Sequence, residues 1–158
     1  MRRADDRALL LDNQLCFALY RASRALTRAY APILEPLGLT YPQYVVMLAL
    51  WERDDVPVKD LGARLSLDSA TLTPLLKRLE GDGVVARARD PEDERVVRVR
   101  VTPAGRRLRD RARSVPGAIL CRTGYDPASP SSLADLGRLR EALSALADAV
   151  EEPADAAG

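Results

Sequence analysis

The sequence predicts a mainly α fold with a small β-hairpin wing, a winged helix-turn-helix that is dimeric through helices at its two ends. Three features point there. Leu72, Leu75, Leu76 and Leu79 repeat at helical spacing just after a shorter helix and a polar turn. The chain then switches to a two-residue period, with Val97, Val99 and Val101 alternating with Arg98 and Arg100. Long amphipathic segments flank this module on both sides.

From the N-terminus, Leu11, Leu15, Ala18, Leu19, Ala22, Leu26, Ala29 and Ile33 advance by threes and fours, which predicts one long helix closed by Pro32 and Pro36. Thr40-Tyr41-Pro42-Gln43 has capping-box spacing and opens a second helix through Trp51, after a tight turn at Gly38. Val58 to Leu65 forms a short helix, and Ser66-Leu67-Asp68-Ser69 supplies turn and cap residues. The 69–80 helix then turns its leucines inward and leaves Ala70, Thr73, Pro74 and Lys77 on a small polar face. Because an interior proline costs a helix about 3 kcal/mol, Pro74 predicts a start near Thr73 or irregular first turns.

After Gly81 and Gly83, the segment from Val84 to Thr102 reads as a hairpin. Its polar tip, Asp90 to Arg95, should project into solvent. Thr102-Pro103 starts an arginine-rich helix through about Ser114, and Pro116-Gly117 interrupts it. Arg122 to Ser132 reads as a loop. In the last helix Leu136, Leu139, Leu143, Leu146 and Val150 form a coiled-coil-like seam. The organisation expected is a single 158-residue domain, with residues 6–36 and 103–150 as dimerisation elements, 40–102 as the winged part and 151–158 as a disordered tail.

Composition narrows the chemistry. The chain has no histidine, which excludes Ser-His-Asp and Cys-His mechanisms, His-ligated haem and the usual zinc sites. Neither an enzyme nor a metal or cofactor is called for. No stretch approaches the length of a membrane span, and the start Met1-Arg2-Arg3-Ala4-Asp5-Asp6-Arg7 lacks secretory character, so a cytoplasmic protein without a membrane partner is expected. Net charge is only +1, but it is segregated: residues 95–113 hold eight arginines against one acid, and residues 126–158 hold two arginines against seven acids. An outer helix face that can enter a major groove, beside guanidinium groups on a hairpin, suits DNA, and a symmetric homodimer would present two such modules to an inverted repeat.

The hairpin stretch Asp93-Glu94-Arg95-Val96-Val97-Arg98-Val99-Arg100-Val101-Thr102, with Pro103-Ala104-Gly105 after it, resembles the wing signature of the MarR family of dimeric repressors. Leu11 to Tyr20, Leu39 to Tyr44 and Leu67 to Leu76 are similar to the organic hydroperoxide resistance regulators (OhrR type) within it, in the two-cysteine subgroup. The resemblance implies that Cys16 is a redox sensor oxidised by organic hydroperoxides to a sulfenic acid. It also implies that Tyr30 and Tyr41 hydrogen-bond the sensor thiol across the dimer interface, and that Cys121 of the other subunit is the resolving thiol. The resulting disulfide would rotate the winged modules and free the operator.

The residues around Cys16 carry a chemical reading of their own. Only a thiolate attacks a peroxide, and no cation lies one helical turn from Cys16, whose neighbours there are Asp12, Asn13, Leu19 and Tyr20. With Asp12 as the helix cap, Cys16 falls in the first turns, where free N–H groups favour a negative sulfur. Apolar Leu9, Phe17 and Leu19 suit an organic peroxide better than hydrogen peroxide.

For DNA, the expected contacts are Ser69, Thr71, Thr73 and Lys77 in the major groove, Arg78 on phosphate, and Arg95 and Arg98 on the wing, with Asp93 bracing Arg95 as an ion pair. The alternative is a MarR-type repressor released by a small apolar or phenolic ligand, its cysteines bystanders. A thiol peroxidase leaves the leucine helices and the arginine hairpin without a purpose, and a pure dimerisation protein would not bind an inverted-repeat duplex.

Overall fold

The computed structural model describes residues 5–151, so most of the tail expected over 151–158 lies outside the described residues. Contacts divide the chain into two compact units that meet between Val115 and Pro116.

In the first unit a short helix α1 (Asp5–Ala8) and a 3-10 turn (Leu11–Asn13) precede α2 (Leu15–Leu34). The expected continuous helix is therefore broken before Leu15. Gln14 takes the N-cap position in place of Asp12, and its amide donates to the carbonyls of Ala8 and Leu10. Pro32 does not end α2, which runs on to Leu34. Within the last turn of a helix a proline withholds only one N–H, and the next turn tightens into a 3-10 segment (Glu35–Leu37) that closes at Gly38, φ 70°.

Helix α3 (Tyr41–Glu52) opens on the expected capping box: the Gln43 side chain accepts the Thr40 N–H at 2.8 Å, and the Thr40 hydroxyl accepts the Gln43 N–H. Gln43 is buried, so the cap also satisfies a polar group inside the core. Thr40→Ala is expected to cost about 1 kcal/mol, read as a lower urea midpoint with unchanged slope.

A short strand β1 (Val56–Pro57), absent from the sequence reading, leads into α4 (Val58–Leu65). Helix α5 runs over Ser69–Gly81, capped by Asp68, whose carboxylate accepts the Thr71 N–H at 2.7 Å. It therefore starts four residues before Thr73 and accommodates Pro74 within its early turns. Strands β2 (Val85–Arg89) and β3 (Val97–Val101) form the hairpin, and β1 completes an antiparallel sheet of order β1-β3-β2. Thr102 caps α6 (Pro103–Ala112) through the Gly105 N–H.

Leu34, Met47, Leu50, Leu72, Leu76, Leu79, Val85 and Val99 make one core under the winged module. At about 25 cal/mol per Å² of apolar surface, this burial is the main force holding α3, α5 and the sheet in register.

The helix α7 spans Val115–Leu120, where Pro116-Gly117 was expected to interrupt; a proline in a first turn withholds an N–H that has no partner there anyway. In the second unit α8 (Pro130–Glu151) carries the leucine seam, and none of its described residues is buried. Among the described residues no single helix is long and apolar enough to cross a membrane.

Candidate nucleic-acid interface and thiol site

Helix α5 turns Leu72, Leu76 and Leu79 into the core and leaves Ser69, Thr71, Lys77 and Arg78 exposed, with Thr73 half-buried. Lys77 and Arg78 make no ion pair among the described residues. The helix is tied to the wing by Glu80. Its carboxylate receives Arg87 Nε at 3.0 Å and Nη2 at 2.6 Å on one oxygen, and the Arg87 N–H at 3.0 Å on the other. Those hydrogen bonds hold Glu80 below the usual carboxylate range, so the tie is intact at neutral pH and is lost as acid protonates it.

The wing tip is ordered by its own turn chemistry. Asp90 accepts the Glu92 N–H at 2.9 Å, and its own N–H bonds Val96 O at 2.8 Å. Arg95 is exposed, and its guanidinium pairs with no carboxylate among the described residues. Asp93 does not form the expected ion pair with it; its carboxylate accepts the Arg95 backbone N–H at 3.0 Å instead. A turn two residues long brings the N–H, not the long side chain, within reach.

Arg98 also departs from expectation. Asp55 takes its Nε at 3.0 Å and Asp90 takes its Nη1 at 3.3 Å, while the Asp55 carbonyl accepts from Nη2. The guanidinium is thus held at the wing base by two carboxylates and does not extend freely toward a phosphate. Pairing of β3 with β1 brings Arg98 beside Pro57 and hence near Asp55. Asp54 acts similarly one step away, accepting the Val101 N–H at 2.7 Å and Arg106 Nη1 at 3.2 Å. Sequence reading missed Asp54, Asp55, Asp90, Glu80 and Arg87. The Asp54-Asp55 pair between a helix and a Val-Pro step was the one visible signal.

Much of the arginine run that follows is engaged within its own unit. Arg106 pairs with Asp54, Arg113 with Asp110, and Arg111 donates to Pro36 O at 2.6 Å.

Cys16 is the second residue of α2 and is exposed. It lies in the first turn, among backbone N–H groups that have no partner within the helix. Leu9, Leu10, Leu11, Leu15 and Tyr20 around it are exposed too. At the other end of α2, Tyr30 stacks against Tyr41 with ring centroids 4.7 Å apart and against Tyr44 at 5.8 Å. Burial, reinforced by Tyr41 and Tyr44, pushes Tyr30 up to about 12, so it is a protonated donor at neutral pH. Cys16 and Tyr30 share one helix fourteen residues apart, about 21 Å along its axis. Within one chain they cannot meet. Cys121 is exposed and belongs to the second unit.

Comparison with known proteins places this geometry. A family model described as transcriptional regulator SarA/Rot matches residues 28–112. The organic hydroperoxide resistance transcriptional regulator of Bacillus subtilis (strain 168) is 44% identical over 90% of this chain and 92% of its own length. Among solved structures, reduced AbfR bound to DNA superposes with a TM-score of 0.75 at 34% identity, covering 96% of this chain and 100% of that one. Disulfide-formed AbfR superposes at 0.62 with 32% identity, over 94% and 99% of the two chains. AbfR is a Staphylococcus epidermidis protein.

Proposed function

This chain belongs to the MarR family of transcriptional regulators, in its organic hydroperoxide resistance branch, and from that premise we propose that it is a cytoplasmic, homodimeric repressor that lets go of an inverted-repeat operator when Cys16 is oxidised. The fold is a DNA-binding winged helix, and the relatives are regulators, not enzymes. The observation that carries the redox reading is the placement of Cys16. It is an exposed thiol in the first turn of a helix, and Leu9, Leu10, Leu11 and Leu15, close to it in sequence, are exposed apolar side chains. A second copy supplies what one chain cannot. The resemblance assigns the phenolic donors for the Cys16 sulfur to Tyr30 and Tyr41 of the partner subunit, and the roughly 21 Å between Cys16 and Tyr30 along one helix is consistent with that assignment. The unburied leucines of α8 offer that second copy a further apolar face.

The chemistry is balanced as follows. The Cys16 thiolate attacks the terminal peroxide oxygen, the O–O bond breaks, and the alkoxide leaves as an alcohol after taking a proton. The sulfenic acid then condenses with the Cys121 thiol of the partner subunit, forming a disulfide and releasing water. Apolar surroundings favour an alkyl or aryl hydroperoxide over hydrogen peroxide. The test is a mobility shift on an inverted-repeat duplex, run beside a nonreducing gel after cumene hydroperoxide. Release together with a cross-linked dimer supports the reading, and release with both thiols still titratable removes it in favour of ligand-induced release.

On DNA, α5 enters the major groove with Ser69, Thr71, Thr73 and Lys77, while Arg78 and Arg95 meet phosphate or the minor groove. Arg98, held by Asp55 and Asp90, braces the wing. Arg95→Ala is expected to weaken binding to all sequences and to flatten the plot of log affinity against log salt by about one unit. An unaltered slope takes Arg95 off the contact surface.

A further inference from the structure

Trp51 has no part in the roles described so far, yet it sits between the tyrosine cluster and the wing. Its ring meets Tyr44 edge-on at 6.3 Å, Tyr44 packs on Tyr30, and Tyr30 stacks on Tyr41. On its other side the indole N–H donates to Gly105 O at 3.1 Å, across 54 residues of sequence. Gly105 lies in the first turn of α6, against Val84 O and the Val101 side chain, with no room for even a methyl group. The joint cannot yield on its own.

Helix α3 makes this a rod and not a loose chain. Tyr41 and Trp51 are ten residues apart on it, about 15 Å, and Val46, Met47 and Leu50 between them are fully buried. Just past its end, Asp54 holds Val101 and Arg106. One end of α3 therefore bears the phenols, and the other is bonded to both the sheet and α6.

We infer that Trp51 is a positioning residue that passes a re-seating of the Tyr30–Tyr41 pair to the wing, through Tyr44 on one side and Gly105 on the other. The inference rests on the proposed oxidation of Cys16, which withdraws the acceptor from the two phenols. Close-packed interiors move between discrete arrangements and do not deform smoothly, so a displaced Tyr44 shifts Trp51, and Trp51 carries the start of α6 with it.

Trp51 is the only tryptophan in the chain, so its emission reports this joint alone. The experiment treats full-length wild type, Cys16→Ser and Trp51→Phe with cumene hydroperoxide. It follows sulfenic acid by dimedone adduct mass, tryptophan emission, and DNA affinity before and after. In the wild type, emission should change in step with adduct formation, and in Cys16→Ser it should stay constant. Trp51→Phe keeps an aromatic ring, smaller than indole, and removes the N–H donor. It should be oxidised normally and bind DNA well when reduced, but the loss of affinity on oxidation should shrink by about tenfold. Release from Trp51→Phe as complete as from wild type overturns the relay, as does wild-type emission that stays flat while Cys16 oxidises and DNA is released. Cys16 that never oxidises overturns the thiol reading, and the relay with it. Should Trp51→Phe prove too unstable to bind DNA, the wild-type emission decides.

Discussion

Cys16→Ser is expected to leave the protein bound to its operator at peroxide concentrations that strip the wild type from it, while affinity in the absence of oxidant stays within about twofold, well under 1 kcal/mol. The two halves of this result have separate causes. Serine replaces sulfur with a similarly small polar atom on an exposed first-turn position, so α2 and the winged module keep their packing. A hydroxyl, however, is a far weaker nucleophile than a thiolate toward a peroxide oxygen, and it forms no disulfide. Cys121→Ser separates the steps: Cys16 should still form a sulfenic acid, but the cross-linked dimer should vanish from the nonreducing gel. Electrophoretic mobility on an inverted-repeat duplex across a cumene hydroperoxide titration measures both. Loss of DNA by Cys16→Ser at the wild-type concentration would dismiss Cys16 as the sensor.

Gly105→Ala should be the most damaging single-methyl change in the winged module. An added Cβ would stand 2.1 Å from Val84 O and 2.7 Å from Val101 Cγ1. The first of these is a backbone atom, held in place because Val84 O accepts the Thr102 N–H at 3.1 Å. The Val84 carbonyl cannot rotate away, so α6 must lift from the sheet, stretching the Trp51 bond to Gly105 O and the Thr102 cap together. Overpacking of this kind costs about 1–3 kcal/mol or more, and about 2–4 °C of melting temperature accompanies each kcal/mol in a chain of this size. Gly81→Ala is the control. Its added methyl meets nothing within 4 Å, and replacing glycine in a helix should leave stability unchanged or raise it by up to about 1 kcal/mol. Thermal denaturation of the pair decides the matter, since equal melting temperatures would show that the α6 joint has slack.

Residue order alone made much of this protein readable, because the signals involved are short in range. Helical spacing of leucines, the Thr40–Gln43 box, the Thr102-Pro103 start and the alternation of valine with arginine each depend on neighbours a few positions apart. The three motif blocks around Cys16, Tyr41 and Asp68 pointed to the family, which the comparisons bear out. Local rules also misled at proline: Pro32, Pro74 and Pro116 all reside in helices, and only Pro116 sits in a first turn where its missing N–H has no helical partner, whereas Pro32 and Pro74 each forgo one hydrogen bond without ending the helix. What the chain order left open was the partnership of charges and rings. Arg98 and Asp55 are 43 residues apart, Arg106 and Asp54 are 52, and Trp51 and Gly105 are 54. Nothing in a charge count says which of the wing's arginines are held by carboxylates and which stand free. That choice falls to strand register and core packing, which bring distant segments within hydrogen-bond reach only after the apolar residues have collapsed.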